Sequence, residues 1–169
     1  YYLHTLTRNF VQLAVDAAPD GVLRAERTRA GLDFINYYLT YATAHAHNQA
    51  ALTSELDNLT TTLRMVYDMG QPDLLLLTAQ AICPHLLQHG RHVEAIAHLV
   101  RAEAAARHEA AMQPLGAILF QLGVALHNYG RPEEAHARLD EALAIARRVG
   151  DQPLCCDILQ ALCESRGSA

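Results

Sequence analysis

Lysine is missing altogether: all thirteen basic residues are arginine, and eighteen acidic residues leave a net charge of −5. That sign is wrong for a domain whose main work is neutralising phosphates, so direct nucleic-acid binding is not expected. No G-x-x-x-x-G-K-[ST] loop exists to cradle a nucleotide's phosphates. No uninterrupted apolar run reaches the roughly 18 to 20 residues that a membrane span requires, because Asp, Gln, His or Arg breaks every candidate. A membrane partner is therefore not expected either. The opening Tyr1-Tyr2-Leu3-His4 has neither the basic leader nor the apolar block of a secretory signal. It also lacks an initiator Met, which suggests a piece of a longer chain. Cysteines are few: Cys83, Cys155, Cys156 and Cys163. Their spacing fits neither a paired C-x-x-C zinc framework nor a small secreted disulfide scaffold, so reduced thiols in a cytoplasmic protein are expected.

What is present points to helices. Hydrophobic residues make up 51% and charged residues 18%, enough apolar surface for a core and too little charge for wholesale disorder. Ala and Leu recur at spacings of three and four, the helical period, and nothing alternates in twos for long enough to suggest a sheet. Breakers divide the chain. Pro19-Asp20-Gly21 ends a first helix over about 5 to 17. His47-Asn48 interrupts a helical stretch between about 28 and 69. Gly70-Gln71-Pro72-Asp73 closes that stretch, with Asp73 expected to cap the next helix. Gly90, Gln113-Pro114, Gly130-Arg131-Pro132 and Gly150-Asp151-Gln152-Pro153 supply the other stops. The last helix is expected over roughly 154 to 165. The fold class is all-α, with about eight helices.

The chain also repeats itself. Gly90 and Gly130 stand 40 residues apart, as do Ala95 and Ala135, Leu99 and Leu139, Ala102 and Ala142, Ile82 and Leu122, and Leu86 and Leu126. A fixed period of one helix pair implies stacked antiparallel pairs, each covering a face its neighbour leaves bare. The second copy, with Leu119-x-x-Leu122-Gly123-x-x-Leu126, then Gly130, Ala135, Leu139 and Ala142, resembles the tetratricopeptide repeat (TPR) and implies a TPR-like α-solenoid. Its period exceeds that family's usual length of about 34, because the second helix runs on to about Arg148. Gly123, Ala135 and Ala142 let the helices approach, while the leucines fill the space between them. Cys83 and Cys163 occupy the Gly123 position one period away on either side, so both are expected to be small packing residues.

Two strings at the front extend the resemblance. Leu52-Thr-Ser-Glu55-Leu-Asp57-Asn58-Leu59, with Leu63 and Gly70-Gln71-Pro72, resembles the segment that opens the repeat arm of bacterial STAND-class regulators with an NB-ARC-like ATPase module. Tyr1-Tyr2-Leu3-His4-Thr5-Leu6-x-Arg8-x-Phe10 resembles the end of the winged helix in such proteins. The implied organisation is the end of a winged-helix-like module and a linker helix over 1–27, and a leading helix pair over 28–70. Repeats follow over 71–110 and 111–150, with a half repeat over 151–169. The ATPase of such a protein would lie upstream.

Candidate chemistry is sparse. His85 and His89 lie one helical turn apart, a spacing that can chelate a metal, but His92 follows the Gly that ends the helix, and Glu94 could complete a set only if the turn folded back. No metal and no cofactor are expected. His45 and His47, two apart, point to different sides of a helix. Cys155-Cys156 starts a helix whose dipole can activate a thiol, yet no partner base accompanies it, so one of the pair is expected in the core. The arginines at 101, 107, 138, 147 and 148, interspersed with Glu103, Glu109, Asp140 and Glu141, read as a solvated mixed-sign face. No enzymatic activity of the chain itself is expected.

The remaining surface is the groove that first helices line in such arrays. Its residues are Phe120, Val124, His127 and Asn128, with Ala117 beside them, and one period earlier Leu77, Gln80, Leu87 and Gln88, with Pro84 bending the helix. The expected function is binding of a protein or peptide along this groove, or sensing of a signal, within a bacterial transcriptional or signal-transduction regulator. The alternative is a structural homo-oligomer formed through the terminal edge near Leu154 to Leu162.

Overall fold

Among the described residues, five with positive φ set the architecture: Gly70, Gly90, Ala110, Gly130 and Gly150, one every twenty positions. The computed structural model describes residues 21–167, with side chains described over 25–165. The expected helix over 5 to 17 and the winged-helix-like string lie outside the described residues. Within them the chain is all-α, without a strand: α1 (Gly21–Ala44), α2 (Gln49–Asp68), α3 (Pro72–Gln88), α4 (His92–His108), α5 (Met112–Asn128), α6 (Pro132–Val149) and α7 (Gln152–Gly167). No helix is long and apolar enough to cross a membrane among the described residues.

The turns explain the spacing. At Gly90, Ala110, Gly130 and Gly150 the N–H donates to the carbonyl three residues back, and the next N–H donates to the carbonyl five back, as Arg91 does to Leu86. This closes the helix end with its C-terminal carbonyls satisfied, but only with one residue in the left-handed region. Glycine adopts that region without penalty at four of the five positions; Ala110 adopts it at φ 52°, where its Cβ crowds the chain.

N-terminal caps are mixed. Asn48 accepts from the Ala51 N–H at 3.2 Å and Asp151 from the Leu154 N–H at 3.1 Å, each satisfying one orphan donor of the first turn. Asp73 does not cap α3 as expected. Gln71 holds the cap position without a side-chain bond and Pro72 takes the first helical position, which its fixed φ suits, so Asp73 falls in the first turn. There its charge favours the helix dipole.

Two compact units divide the residues, one ending at Tyr37 and one beginning at Tyr38. The described part of the first is the opening of α1, exposed from Ala25 to Ala30. In the second, each helix from α2 packs on the next, and α3–α5, α5–α7 and α2–α4 also touch. The buried set follows the 40-residue register: Ala95, Leu99 and Ala102 on α4 and Ala135, Leu139 and Ala142 on α6, against Ala79, Ile82 and Leu86 on α3 and Leu119, Leu122 and Leu126 on α5. A Cβ built on Gly123 would lie 2.7 Å from Leu139 Cγ and 3.3 Å from the Ala135 carbonyl, so only glycine permits this approach. Cys83 fills the equivalent position on α3 and is fully buried. Cys163 does not: it is exposed, because no described helix covers that face of α7.

Candidate functional site

The eight groove candidates lie on two helices, α3 and α5, that touch each other. Leu77 is 54% exposed. Gln80, Leu87, Phe120, Val124 and His127 are half-buried, and Gln88 and Asn128 are exposed. Gln88 is engaged by α2, accepting from Gln49 Nε2 at 2.8 Å. His127 Nδ1 is buried without a protein partner among the described residues. The candidates thus comprise one exposed leucine, a half-buried phenylalanine and amide groups on two helices in contact.

Between α3 and α5 the structure shows a contact that spacing did not reveal. Pro84 lies inside α3 and has no N–H, so the Gln80 carbonyl loses its helical donor. Gln121 Nε2 donates to that carbonyl at 3.3 Å. The helix continues through Pro84 to Gln88, with the lost bond replaced from the neighbouring helix.

The end of α1 meets the Glu-x-x-Asn-Leu string of α2. Tyr38 Oη donates to Glu55 Oε2 at 2.9 Å and Asn58 Nδ2 donates to the same oxygen at 2.7 Å, while Leu59 is fully buried. Tyr41 Oη reaches the Ala51 carbonyl at 3.2 Å. Its ring stacks on His45 with centres 4.2 Å apart, so His45 is held within the fold and His47 is exposed.

The histidines do not converge on a metal: no group of three or more His, Cys, Asp or Glu side chains is arranged to hold an ion among the described residues. His89 Nδ1 lies 2.8 Å from the His85 carbonyl and its Nε2 2.6 Å from Thr53 Oγ1. His85 is buried, and burial pushes its pKa below the ordinary imidazole value, against hydrogen bonds with Gln88 and the Ala42 backbone. His98 is lowered for the same first reason, with the Arg101 charge adding to it. Burial pushes the Cys83 thiol up to about 12. Cys155 is buried and Cys156 exposed, which places one of that pair in the core as expected.

The mixed-sign face is less solvated than its pattern suggested. Glu103 is only 7% exposed. Its carboxylate receives Arg107 Nη2 at 2.9 Å and Arg138 Nη1 at 2.7 Å. Arg107 also reaches Glu141 at 2.8 Å, which holds the Glu141 pKa below the usual carboxylate range. The reason is reach. α4 and α6 make no close backbone contact, and long side chains span the gap that a smaller residue would leave open.

A cleft of about 360 Å³ lies where α2, the turn after it, α3 and α4 meet, lined by Val66, Tyr67, Leu75, Arg101, Ala105 and Glu109 among others. Arg101 Cζ sits 4.5 Å from the centre of the Tyr67 ring. No periodic signal announces this cleft, because three elements build it from residues spread over more than forty positions.

Compared with known proteins, the chain matches no family model, no curated protein and no solved structure.

Proposed function

We propose that the chain is a non-catalytic helical-repeat domain of the TPR-like type, built of stacked antiparallel pairs, that binds a protein or peptide along the first-helix face of α3 and α5. The observation that carries this reading is the 40-residue register. Leu77, Gln80 and Leu87 on α3 and Ala117, Phe120 and His127 on α5 are period-related, off the packing stripe, and exposed or half-buried on helices in contact. An extended segment laid across both helices would meet apolar anchors flanked by amides, the composition of an interaction surface. In a larger bacterial regulator of the STAND type, such binding biases an upstream switch only if the partner prefers one of its two states.

The test is a peptide-display selection on the 169-residue chain, followed by titration of the selected peptides. Leu77→Asp and Phe120→Ala, with Asn128→Ala, should each weaken them by about tenfold or more, the effect of an anchor. Peptides that bind the variants as well as the parent, or a selection that yields none, would sink the reading.

One observation favours a second reading, self-association. Cys156, Leu159 and Cys163 are exposed on α7. They occupy the register positions of Gly116, Leu119 and Gly123, which are buried on α5. A helix like α4 or α6 from a second copy would fit that stripe. Leu159→Asp should convert any oligomer seen by sedimentation to monomer, while leaving peptide capture unchanged.

A further inference from the structure

The cleft between α2, α3 and α4 belongs to neither reading, and its chemistry is specific. Its apolar lining is the half-buried Pro72 and Ala105, with Leu75, 5% exposed, beneath them. Its volume of about 360 Å³ falls in the range of small-molecule sites, roughly 300–1,000 Å³. At its rim stands one guanidinium. Arg101 makes no ion pair among the described residues, whereas Arg91, Arg107, Arg131 and Arg138 each hold a carboxylate. The Arg101 Cζ lies 4.5 Å from the centre of the Tyr67 ring, a cation–π contact that holds the charge at the rim, where its N–H groups can meet a two-oxygen acceptor. The acidic group of the lining, Glu109, directs one oxygen, Oε1, to His108 Nδ1 at 2.9 Å.

We propose that this cleft binds a small apolar monocarboxylate, its hydrocarbon body against Pro72, Leu75 and Ala105 and its carboxylate on Arg101. A polyanion is disfavoured because Arg101 is the one arginine of the lining among the described residues, and the Glu109 carboxylate beside it would repel further negative charge. An amine is disfavoured because it would face that cation.

The experiment titrates the 169-residue chain with 4-phenylbutanoate and, in parallel, with the matched alcohol 4-phenylbutanol and amine 4-phenylbutylamine, following backbone amide shifts. The acid should saturate and move the amides of Tyr67, Ala104 and Ala105. It should bind about fivefold or more tighter than the alcohol, and Arg101→Met should remove that advantage while leaving the exposed site folded. Ala104→Phe, an exposed lining position, should block the cleft and abolish the shifts. The proposal is overturned if the alcohol or the amine matches the acid, or if Arg101→Met leaves the acid's affinity unchanged. It is equally overturned if the shifts map elsewhere, or if no saturation occurs by about 10 mM acid, the weak limit of specific binding.

Discussion

At the scale of single residues, one position holds a conformation that its chemistry resists. Ala110 closes the turn between α4 and α5 at φ 52°, in a series otherwise made of glycine. Left-handed alanine costs about 1–2 kcal/mol, offset in part because glycine adds unfolded-state entropy worth about 0.4–1 kcal/mol. Ala110→Gly should therefore raise stability by about 0.5–1 kcal/mol, read as a higher urea midpoint at unchanged slope; a lower midpoint would contradict the turn geometry. The thiols divide just as sharply. Cys83, buried and pushed up to about 12, should resist alkylation in the native protein, as should the buried Cys155, while Cys156 and Cys163 are exposed. Iodoacetamide with mass spectrometry should add two labels quickly and the others only on unfolding; rapid labelling of Cys83 would show that α3 does not pack as described.

At the scale of helices, the pairing of Pro84 with Gln121 is a coupling between neighbours. Pro84→Ala restores an N–H for the Gln80 carbonyl and removes the ring's clash, so it should stabilise the chain by about 1–2 kcal/mol. Gln121→Ala should cost about 1 kcal/mol when Pro84 is present, because the freed carbonyl loses its donor, and much less in the Pro84→Ala background. A double-mutant cycle in urea checks this: additive effects would mean that the 3.3 Å contact carries no energy. The contrast also shows what a sequence discloses about helices. Gly90, Gly130 and Gly150 announced their turns because a left-handed closure selects glycine, and Gly123 announced a close approach for the same steric reason. Ala110 and Gln121 announced nothing, since alanine and glutamine serve equally well in ordinary helix. Glu103 misled outright. It sits among alternating charges, as a solvated residue does, and only the gap between α4 and α6 explains its burial. Of the candidate site, the first-helix face followed from the period, whereas Tyr67 and Arg101 meet across two helices by tertiary packing alone.

At the scale of the whole molecule, buried histidines tie stability to pH. His85 and His98 both titrate below the ordinary imidazole value in the folded chain, chiefly because burial disfavours the charged ring. Neither Nδ1 has a protein partner among the described residues to take up an added proton. The neighbours partly cancel: Gln88 and the Ala42 backbone oppose the shift at His85 while His89 adds to it, and Glu94 opposes Arg101 at His98. For each ring the unfolded chain binds the proton first, so stability is at its full value above about pH 6.5 and declines as pH falls below it. Glu141 acts in a separate window. Its folded value lies below the unfolded one because Arg107 bonds it, so its contribution is present above about pH 4.3 and is lost only as pH drops through the folded value. The expected urea midpoint is therefore level from about pH 8 to 7, lower at about pH 5.5, and lower again below about pH 4. Replacing His85 and His98 together with Asn should flatten the first decline and leave the second intact, while Glu141→Gln should do the reverse. A midpoint that stays level down to about pH 5 in the parent chain would mean that these two rings lie in water rather than in the interior.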